Sequence, residues 1–284
     1  QYLETVWTQA GLKREISVIT NSKTVDVRHN YFGVFPDILA VVTLSSPTAA
    51  NLHGFVGKAF DNTWSKGPYY GGETLAANVT WKGEVWLTGD LIVPTGKVLT
   101  VAAATTVHVV KYDVAKDGIG DIDATINGTL DVQGTAGKGV KFVEQGGSGK
   151  AGSWYRIRVT GSGSKALLKY ATFGHAVTAL QLESGAHVLD HVTVAKTQSN
   201  GLLVTSASNV KANDTVVTEA GGHGVHVQSS SGVTFDKLTS NKNKGHGLHI
   251  AAAKTGLKFS NVTATGNANA GLSCDRCSAT VSDC

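Results

Sequence analysis

Apolar residues recur at a fixed step in the last third of the chain. A glycine followed by a short apolar strand returns at steps of 23, 23 and 24 residues, at Gly201–Val204, Gly224–Val227, Gly247–Ile250 and Gly271–Cys274. A second apolar series keeps nearly the same step, at Leu189, Ala212, Phe235 and Phe259. Apolar and polar residues alternate between these points without a helical pattern, which is typical of a β-solenoid in which each repeat is one coil.

Short strands separated by Gly, Thr and Asn corners are predicted from Thr80 onward. The apolar runs before the clear repeats are Trp81–Leu87, Leu91–Val93, Val98–Val101, Val107–Val110, Ile126–Val132, Val140–Phe142, Trp154–Val159, Leu167–Tyr170 and Leu180–Leu182. Strands of neighbouring coils lie about 4.8 Å apart and bond in parallel, so Val204, Val227 and Ile250 are predicted to stack as one buried column. Crossovers between parallel strands are right-handed by default. The pattern therefore predicts an all-β right-handed parallel β-helix, a solenoid with an irregular N-terminal extension.

The first quarter of the chain is less regular. Strands are predicted at Ile16–Ile19 and Val25–Gly33, and the segment from Gly54 to Gly72 is rich in Gly and aromatic residues. An open solenoid end exposes strand edges and core, so solenoids need caps. We expect residues 1–76 to form N-terminal strands and a linking or capping segment, and residues 77–284 to form the β-helix domain.

Composition narrows the classes of partner. Charged residues make up 16% of the chain, and the formal net charge of +4 comes from scattered lysines rather than from a basic run. This pattern gives no support to nucleic-acid binding. No run approaches the roughly 20 apolar residues of a membrane span. Because the chain begins at Gln1 and holds no Met, we interpret it as processed or excised, with any leader removed from view.

The three cysteines all lie in the last eleven residues, at Cys274, Cys277 and Cys284. Cys274 holds the inward position of Val204, Val227 and Ile250, and Cys284 falls on an inward register, so a Cys274–Cys284 disulfide is predicted. Free buried thiols and a metal site are the alternatives, although a structural zinc site needs four ligands.

Several phrases of the chain resemble a known family. They are Val85–Val101, Thr105–Val107, Asn127–Thr135, Gly152–Trp154 and Leu168–Thr172, together with the Asn-aromatic-aromatic-Gly phrase Asn30–Gly33. In these the sequence resembles the right-handed parallel β-helix proteins of bacterial and archaeal cell surfaces. The resemblance implies the fold and a secreted or cell-surface location. It does not imply one activity, because the fold serves lyases, hydrolases, epimerases, tailspikes, adhesins and structural proteins.

Two histidine pairs lie one repeat apart. His223 is predicted to lie beside His246, and His226 beside His249, with the second pair pointing outward because its strand neighbours point inward. Stacked imidazoles at this spacing could bind a transition metal or contact a sugar acid. Simple duplication of a Gly-His-Gly corner is the alternative, since no carboxylate accompanies both pairs.

Four carboxylates lie close together around two glycines, at Asp113, Asp117, Asp121 and Asp123. Calcium takes six to eight oxygen ligands, and an acidic loop with Gly turns can surround it, although the spacing is not that of an EF-hand. Calcium is therefore the candidate cofactor, and an ordinary polar loop is the alternative.

A candidate catalytic pair comes from the repeat alignment. Asp190 and Asp236 occupy matching turns two coils apart, with Asn213 between them, at a predicted separation of about 10 Å. Such a separation is close to that of an inverting glycosidase pair, although tight corners also select Asp and Asn. Basic residues that could line a groove are Arg156, Arg158 and Lys169, although any strand of this fold has such outward residues.

Aromatic side chains in the N-terminal part could stack on sugar rings. The candidates are Trp64, Tyr69, Tyr70, Trp81 and Trp86, and core or cap packing is the alternative fate for such residues.

Three functions follow as hypotheses. The first is a non-catalytic extracellular or cell-surface module that is structural, adhesive or glycan-contacting, with polysaccharide or cell-surface components as partners. The second is a lyase or glycoside hydrolase acting on an acidic polysaccharide. The third is a filament-forming subunit that self-associates through coil ends by strand addition.

Overall fold

The structure is a computed structural model of the 284-residue chain. It describes residues 3–7, 14–18, 24–26, 42–44, 49–51 and 69–284, the last range without residues 112, 114–116, 146, 148 and 253. In these residues the only regular elements are strands, as the sequence predicts. No helix within them is long and apolar enough to cross a membrane.

The N-terminal strands are β1 Leu3–Trp7, β2 Arg14–Val18, β3 Thr24–Asp26, β4 Val42–Leu44 and β5 Ala49–Asn51. β2 pairs with β1 in antiparallel and with β4 in parallel, and β3 pairs in parallel with β5.

The remaining strands are short and follow one another closely. They are β6 Tyr69–Tyr70, β7 Glu73–Thr74, β8 Val79–Trp81, β9 Glu84–Leu87, β10 Leu91–Val93, β11 Val98–Ala102, β12 Thr106–Val109, β13 Asp123–Ile126, β14 Thr129–Gln133, β15 Val140–Glu144, β16 Arg156–Val159, β17 Lys165–Gly174, β18 Leu180–Glu183, β19 Val188–Ala195, β20 Leu202–Thr205, β21 Lys211–Thr218, β22 Val225–Gln228, β23 Thr234–Asn241, β24 Leu248–Ala251, β25 Leu257–Ser260, β26 Leu272–Asp275 and β27 Ala279–Ser282.

These strands form the three walls of a helical coil, and neighbouring strands within each wall are parallel. The first wall has the order β7-β10-β13-β16-β18-β20-β22-β24-β26. The second runs from β8 through β11 and β14 into the first halves of β17, β19, β21 and β23, and ends with β25 and β27. The third runs from β6 through β9, β12 and β15 into the second halves of the same long strands. The parallel β-helix is confirmed, and its walls already include β6 and β7, which precede residue 77.

The long strands bend sharply where the second wall meets the third. At the bend each has one residue in the left-handed region, with φ of 46° at Tyr170, 55° at His191 and 49° at Asp214. Lys237 and Asn261 continue this series. Left-handed backbone costs a non-glycine residue roughly 1–2 kcal/mol, so the bend persists because the flanking residues are held in both walls. We call Tyr170, His191, Asp214, Lys237 and Asn261 the corner column.

The core consists of stacked columns of apolar side chains. Val204, Val227 and Ile250 are in register on adjacent strands of the first wall, and each is fully buried. Opposite them, Ala212, Phe235 and Phe259 stack in register on the second wall. Burial of one large apolar side chain contributes about 1.5–3 kcal/mol, so these columns hold successive coils together. The predicted columns are confirmed.

The glycine of each repeat is explained by close packing. A Cβ on Gly201 would collide with Val217, and one on Gly224 would collide with Ser240. Neither has a left-handed φ, so space rather than backbone conformation requires glycine here. The repeating glycine marks the point where the chain passes closest to the opposite wall.

The disulfide differs from the prediction. Cys274 is in register with Ile250, as expected, but it is bonded to Cys277, and their Cα atoms lie 5.8 Å apart. Cys284 is an exposed free thiol, so the predicted Cys274–Cys284 pair is wrong. The reason is topological: Cys274 lies on the first wall and Cys284 follows β27 of the second wall, whereas Cys277 lies only three residues from Cys274.

Candidate functional site

A line of polar side chains follows the outer face of the second wall. The five residues are in register on adjacent strands, and we call them the polar ladder: Lys169, Asp190, Asn213, Asp236 and Ser260. The residue directly before each ladder residue, such as Leu168 or Leu189, points into the core. The residue two positions after it does the same. The alternation of the strand therefore fixes the ladder on the outside.

Hydrogen bonds connect the rungs of the ladder. Asn213 Nδ2 donates to Asp190 Oδ1 at 2.9 Å. Ser260 Oγ and Asn261 Nδ2 donate to Asp236 Oδ1 at 2.9 and 2.7 Å. The bonds from Asn213 and then His191 lower the pKa of Asp190, and those from Asn261 and Ser260 lower the pKa of Asp236. Both carboxyl groups are therefore ionised at neutral pH.

The ladder places Asp190 and Asp236 two rungs apart, as the sequence predicts. Their chemistry does not match a hydrolytic pair. Glycoside hydrolysis needs one carboxylic acid with a raised pKa to protonate the leaving oxygen, whereas both pKa values are lowered here. Asn213 also lies between them, hydrogen-bonded to Asp190. The arrangement suits binding better than acid catalysis.

Two rings of the corner column flank the ladder, and sequence reasoning did not select them. Tyr170 and His191 stack with ring centroids 4.3 Å apart and an interplanar angle of 19°. His191 Nδ1 lies 2.9 Å from Asp190 Oδ1, and its Nε2 lies 3.6 Å from Asp214 Oδ2. The signal that could have found them is their position, since each directly follows a ladder residue.

A shallow pocket of about 290 Å³ opens beside these rings. We call it the Tyr170 groove, and its lining residues are Thr135, Gly137, Gly139, Tyr170, Thr172, His191, Thr193, Asp214 and Val216. It combines one aromatic ring, several hydroxyl groups and a carboxylate. A concave surface with an aromatic side chain and a few placed polar groups is the usual form of a small-ligand site.

The predicted basic residues are divided between two walls. Lys169 lies on the polar ladder. Arg156 and Arg158 lie on the first wall, where Arg156 bonds to Asp123 at 3.0 Å and to Gln181 at 2.9 Å. Arg158 bonds to Glu183 at 2.7 Å. Both guanidinium groups are thus engaged within the wall and do not lie beside the ladder.

The pKa values of Glu183 and Asp123 are shifted in opposite directions within this network. Burial raises the pKa of Glu183, but hydrogen bonds from Arg158, Thr160 and Gln181 outweigh it and the net shift is downward. Burial also raises the pKa of Asp123, and there the nearby Arg156 only partly opposes it.

The four histidines come together on the outer face of the first wall. His226 and His249 are in register on β22 and β24 with ring centroids 4.9 Å apart, and the His223 and His246 rings stack at 5.1 Å. Both predicted pairs are confirmed as neighbours. Burial and then the other histidines of the group lower the pKa of His223 to about 4. Burial also lowers the pKa of His226 and His249, so these rings are neutral at pH 7.

In the acidic segment, two of the carboxylates accept hydrogen bonds from nearby backbone N–H groups, and a third belongs to a strand. Asp113 accepts the backbone N–H groups of Asp117 and Gly118, Asp117 accepts that of Ile119, and Asp123 belongs to β13. Residues 114–116 lie outside the described residues. Among the residues that are described, no group of three or more His, Cys, Asp or Glu side chains is arranged to hold a metal ion. Calcium binding stays a prediction, and this geometry gives it no support.

The N-terminal aromatic candidates do not form one surface in the described chain. Tyr70 is half-buried against the core, with its ring 5.0 Å from the buried Trp81. The backbone of Tyr69 pairs with Trp86 in the third wall, and Trp64 lies outside the described residues.

The comparison with protein families agrees with the architecture. Residues 155–284 match the family model described as right-handed β-helix region. Tailspike protein 3 of bacteriophage CBA120 matches with a TM-score of 0.37 and 12% identity, over 95% of this chain and 53% of the tailspike. The chain thus spans about half the length of that protein. A comparison with curated proteins found no match. The parallel walls and the stacked core columns are those of a right-handed parallel β-helix, in agreement with this family model.

Proposed function

We propose that this protein is an extracellular or cell-surface module that binds a polysaccharide along the polar ladder and the Tyr170 groove without cleaving it. The observation that carries the proposal is the in-register series from Lys169 to Ser260, which repeats hydrogen-bonding groups every coil beside an aromatic ring. Coils repeat about every 4.8 Å, so a polymer of repeating hydroxyl groups would meet repeating partners.

The charges of the site favour a neutral polysaccharide. Asp190, Asp214 and Asp236 lie along the ladder and the corner column, and the pKa values of Asp190 and Asp236 are lowered. A polyuronate would place its carboxylates against these ionised groups. Lys169 and Lys237 offset part of this charge, so the site is mixed rather than basic. For this reason we favour a neutral glycan over the acidic polysaccharide of the lyase or hydrolase alternative.

The disulfide supports the proposed location. Cys274 and Cys277 are bonded, and disulfides persist mainly in oxidising compartments such as the cell exterior.

Binding is tested with the full chain and soluble neutral polymers, namely a glucan, a mannan, a xylan and a galactan, with polygalacturonate and alginate as acidic polymers. Affinity electrophoresis or calorimetry should detect binding of at least one neutral polymer to the chain. Tyr170→Asn removes the ring and keeps a residue that tolerates left-handed backbone, so it should weaken binding at least about tenfold. Tyr155→Ala is the matched control, because Tyr155 is an exposed aromatic residue that directly precedes β16 of the first wall.

Three results would overturn the proposal: no neutral polymer binds, only acidic polymers bind, or Tyr170→Asn and Tyr155→Ala weaken binding equally. Release of reducing ends or unsaturated products, abolished by Asp190→Asn or Asp236→Asn, would instead establish the enzyme alternative.

A further inference from the structure

The histidine group on the first wall has bonding capacity that the fold does not use. His226 Nε2, His246 Nδ1 and His249 Nδ1 are buried and have no hydrogen-bond partner. Leaving a buried polar atom unpaired costs free energy, and such atoms in a folded protein often mark a site for a bound ion or water. Two of them on neighbouring strands point to one shared ligand.

The spacing of the two rings fits a shared metal ion. An imidazole nitrogen lies about 2.0–2.1 Å from zinc or a similar ion, and a tetrahedral or square-planar angle at the metal then sets two ring centroids roughly 5 Å apart. The His226 and His249 centroids lie 4.9 Å apart, and the rings are tilted by 44° rather than lying flat on each other. Their strands are fixed in register, so the wall holds this separation.

The other two histidines support the pair without completing a larger site. His223 Nδ1 accepts the backbone N–H of His246 at 3.0 Å, so that lone pair is already engaged. The rings of His223 and His246 lie 4.6 and 5.2 Å from that of His249 and stack on it at interplanar angles of 27° and 17°, so neither is tilted against it as His226 is. This agrees with the finding that no three side chains of the described chain are arranged as a metal site.

We propose that His226 and His249 form a two-histidine site for a divalent transition metal ion, bound through His226 Nε2 and His249 Nδ1, with solvent in the remaining coordination positions. Imidazole ligands suit Cu²⁺, Ni²⁺ and Zn²⁺, and the general order of affinity places Cu²⁺ first. Metal binding needs neutral imidazole, so the affinity should fall as the pH is lowered.

The test uses chelator-treated full chain and Cu²⁺ alone, in the absence of any polysaccharide, so its result is independent of the proposed glycan binding. Calorimetry should show that the unaltered chain binds one more equivalent than the double variant His226→Gln/His249→Gln. His108→Gln is the matched control, since His108 lies on β12 of the third wall and should keep that equivalent. Electron paramagnetic resonance of the Cu²⁺ complex should show coupling to two imidazole nitrogens.

Equal stoichiometry in the unaltered chain and the double variant would overturn the proposal, and so would the same loss in His108→Gln. Circular dichroism checks that the variants fold. If the double variant does not fold, the resonance spectrum of the unaltered chain decides, because coupling to fewer than two imidazole nitrogens also overturns the site.

Discussion

Asp190 Oδ1 accepts hydrogen bonds from two directions, from His191 Nδ1 at 2.9 Å and from Asn213 Nδ2 at 2.9 Å. One carboxylate oxygen therefore ties the polar ladder to the corner column. His191 stacks on Tyr170 across one rung, so the position of the aromatic ring depends on the same carboxylate. The ladder and the Tyr170 groove act as one surface for this reason.

Asp190→Ala should loosen this surface more than it destabilises the fold. The substitution removes both bonds, but they lie at a partly exposed site, so we expect a loss of only about 1 kcal/mol in the free energy of unfolding. Polymer binding should also weaken, because Asp190 no longer holds the ring of His191. Urea unfolding and affinity electrophoresis measure the two effects. Lys211→Ala, an exposed change on the same wall, is the control, and a larger effect there than at Asp190 would contradict this account.

Because the core is stacked, a charged residue at one inward position should greatly lower the free energy of unfolding. The same charge at the adjacent outward position should change it very little. Val227→Asp places a carboxylate between Val204 and Ile250, where it has neither water nor a partner, and should cost more than about 4 kcal/mol. Gln228→Asp changes the adjacent, outward residue of the same strand and should cost less than about 0.5 kcal/mol. Chemical denaturation followed by circular dichroism compares them, and similar midpoints would show that the column is not a packed core.

The repeating glycine predicts a steric effect at one site and none at another. In Gly224→Ala the new methyl group meets Ser240, Asn243 and Gly247, so we expect a loss of about 1–3 kcal/mol from overpacking. Gly163→Ala is the matched control, because nothing lies within 4 Å of a Cβ there. Its effect should be near zero or slightly stabilising. Thermal unfolding distinguishes the two, and an unaffected Gly224→Ala would mean that the walls are farther apart than described.

The periodic part of the fold was predictable because its signal is local. Leu189, Ala212, Phe235 and Phe259 recur at almost equal steps, and alternation in each strand tells which side faces inward. The same reasoning located the histidine neighbours and the positions of Asp190 and Asp236 correctly.

The Tyr170 groove was not predictable by this route. His191, Asp214 and Lys237 follow at steps of 23 residues, but Tyr170 precedes His191 by only 21, so the repeat alignment does not connect the two rings. Their stacking depends on the left-handed bend, which many residue types adopt here and which leaves no residue signature. The prediction of the cysteine pairing was wrong for a related reason. Register along a column does not show on which wall a later cysteine lies.

Acidification should destabilise the protein through its neutral histidines. Burial lowers the pKa of His187, whose Nδ1 accepts Ala166 N–H and whose Nε2 donates to the Ser184 carbonyl, so a second proton would break the first bond. The pKa of His223 is lowered to about 4. Below about pH 6.5 the unfolded chain binds protons that the folded chain does not, so stability falls as the pH falls, by at most about 1.4 kcal/mol per pH unit for each such histidine. For the partly exposed His223, screening by solvent reduces the effect.

The interval from pH 6.5 to pH 5 separates this contribution from that of the carboxyl groups with lowered pKa, whereas the raised pKa of Asp123 acts in the opposite direction. Carboxyl groups with lowered pKa, such as Asp190 and Glu183, lose their stabilising effect only at lower pH, because they are still ionised in both the folded and the unfolded chain above pH 5. Calorimetric melting should therefore show a fall in Tm across this interval, and His223→Gln should make the fall shallower. A Tm that is constant or rises on acidification would mean that these rings bind protons in the folded state as readily as in the unfolded one, contrary to their burial.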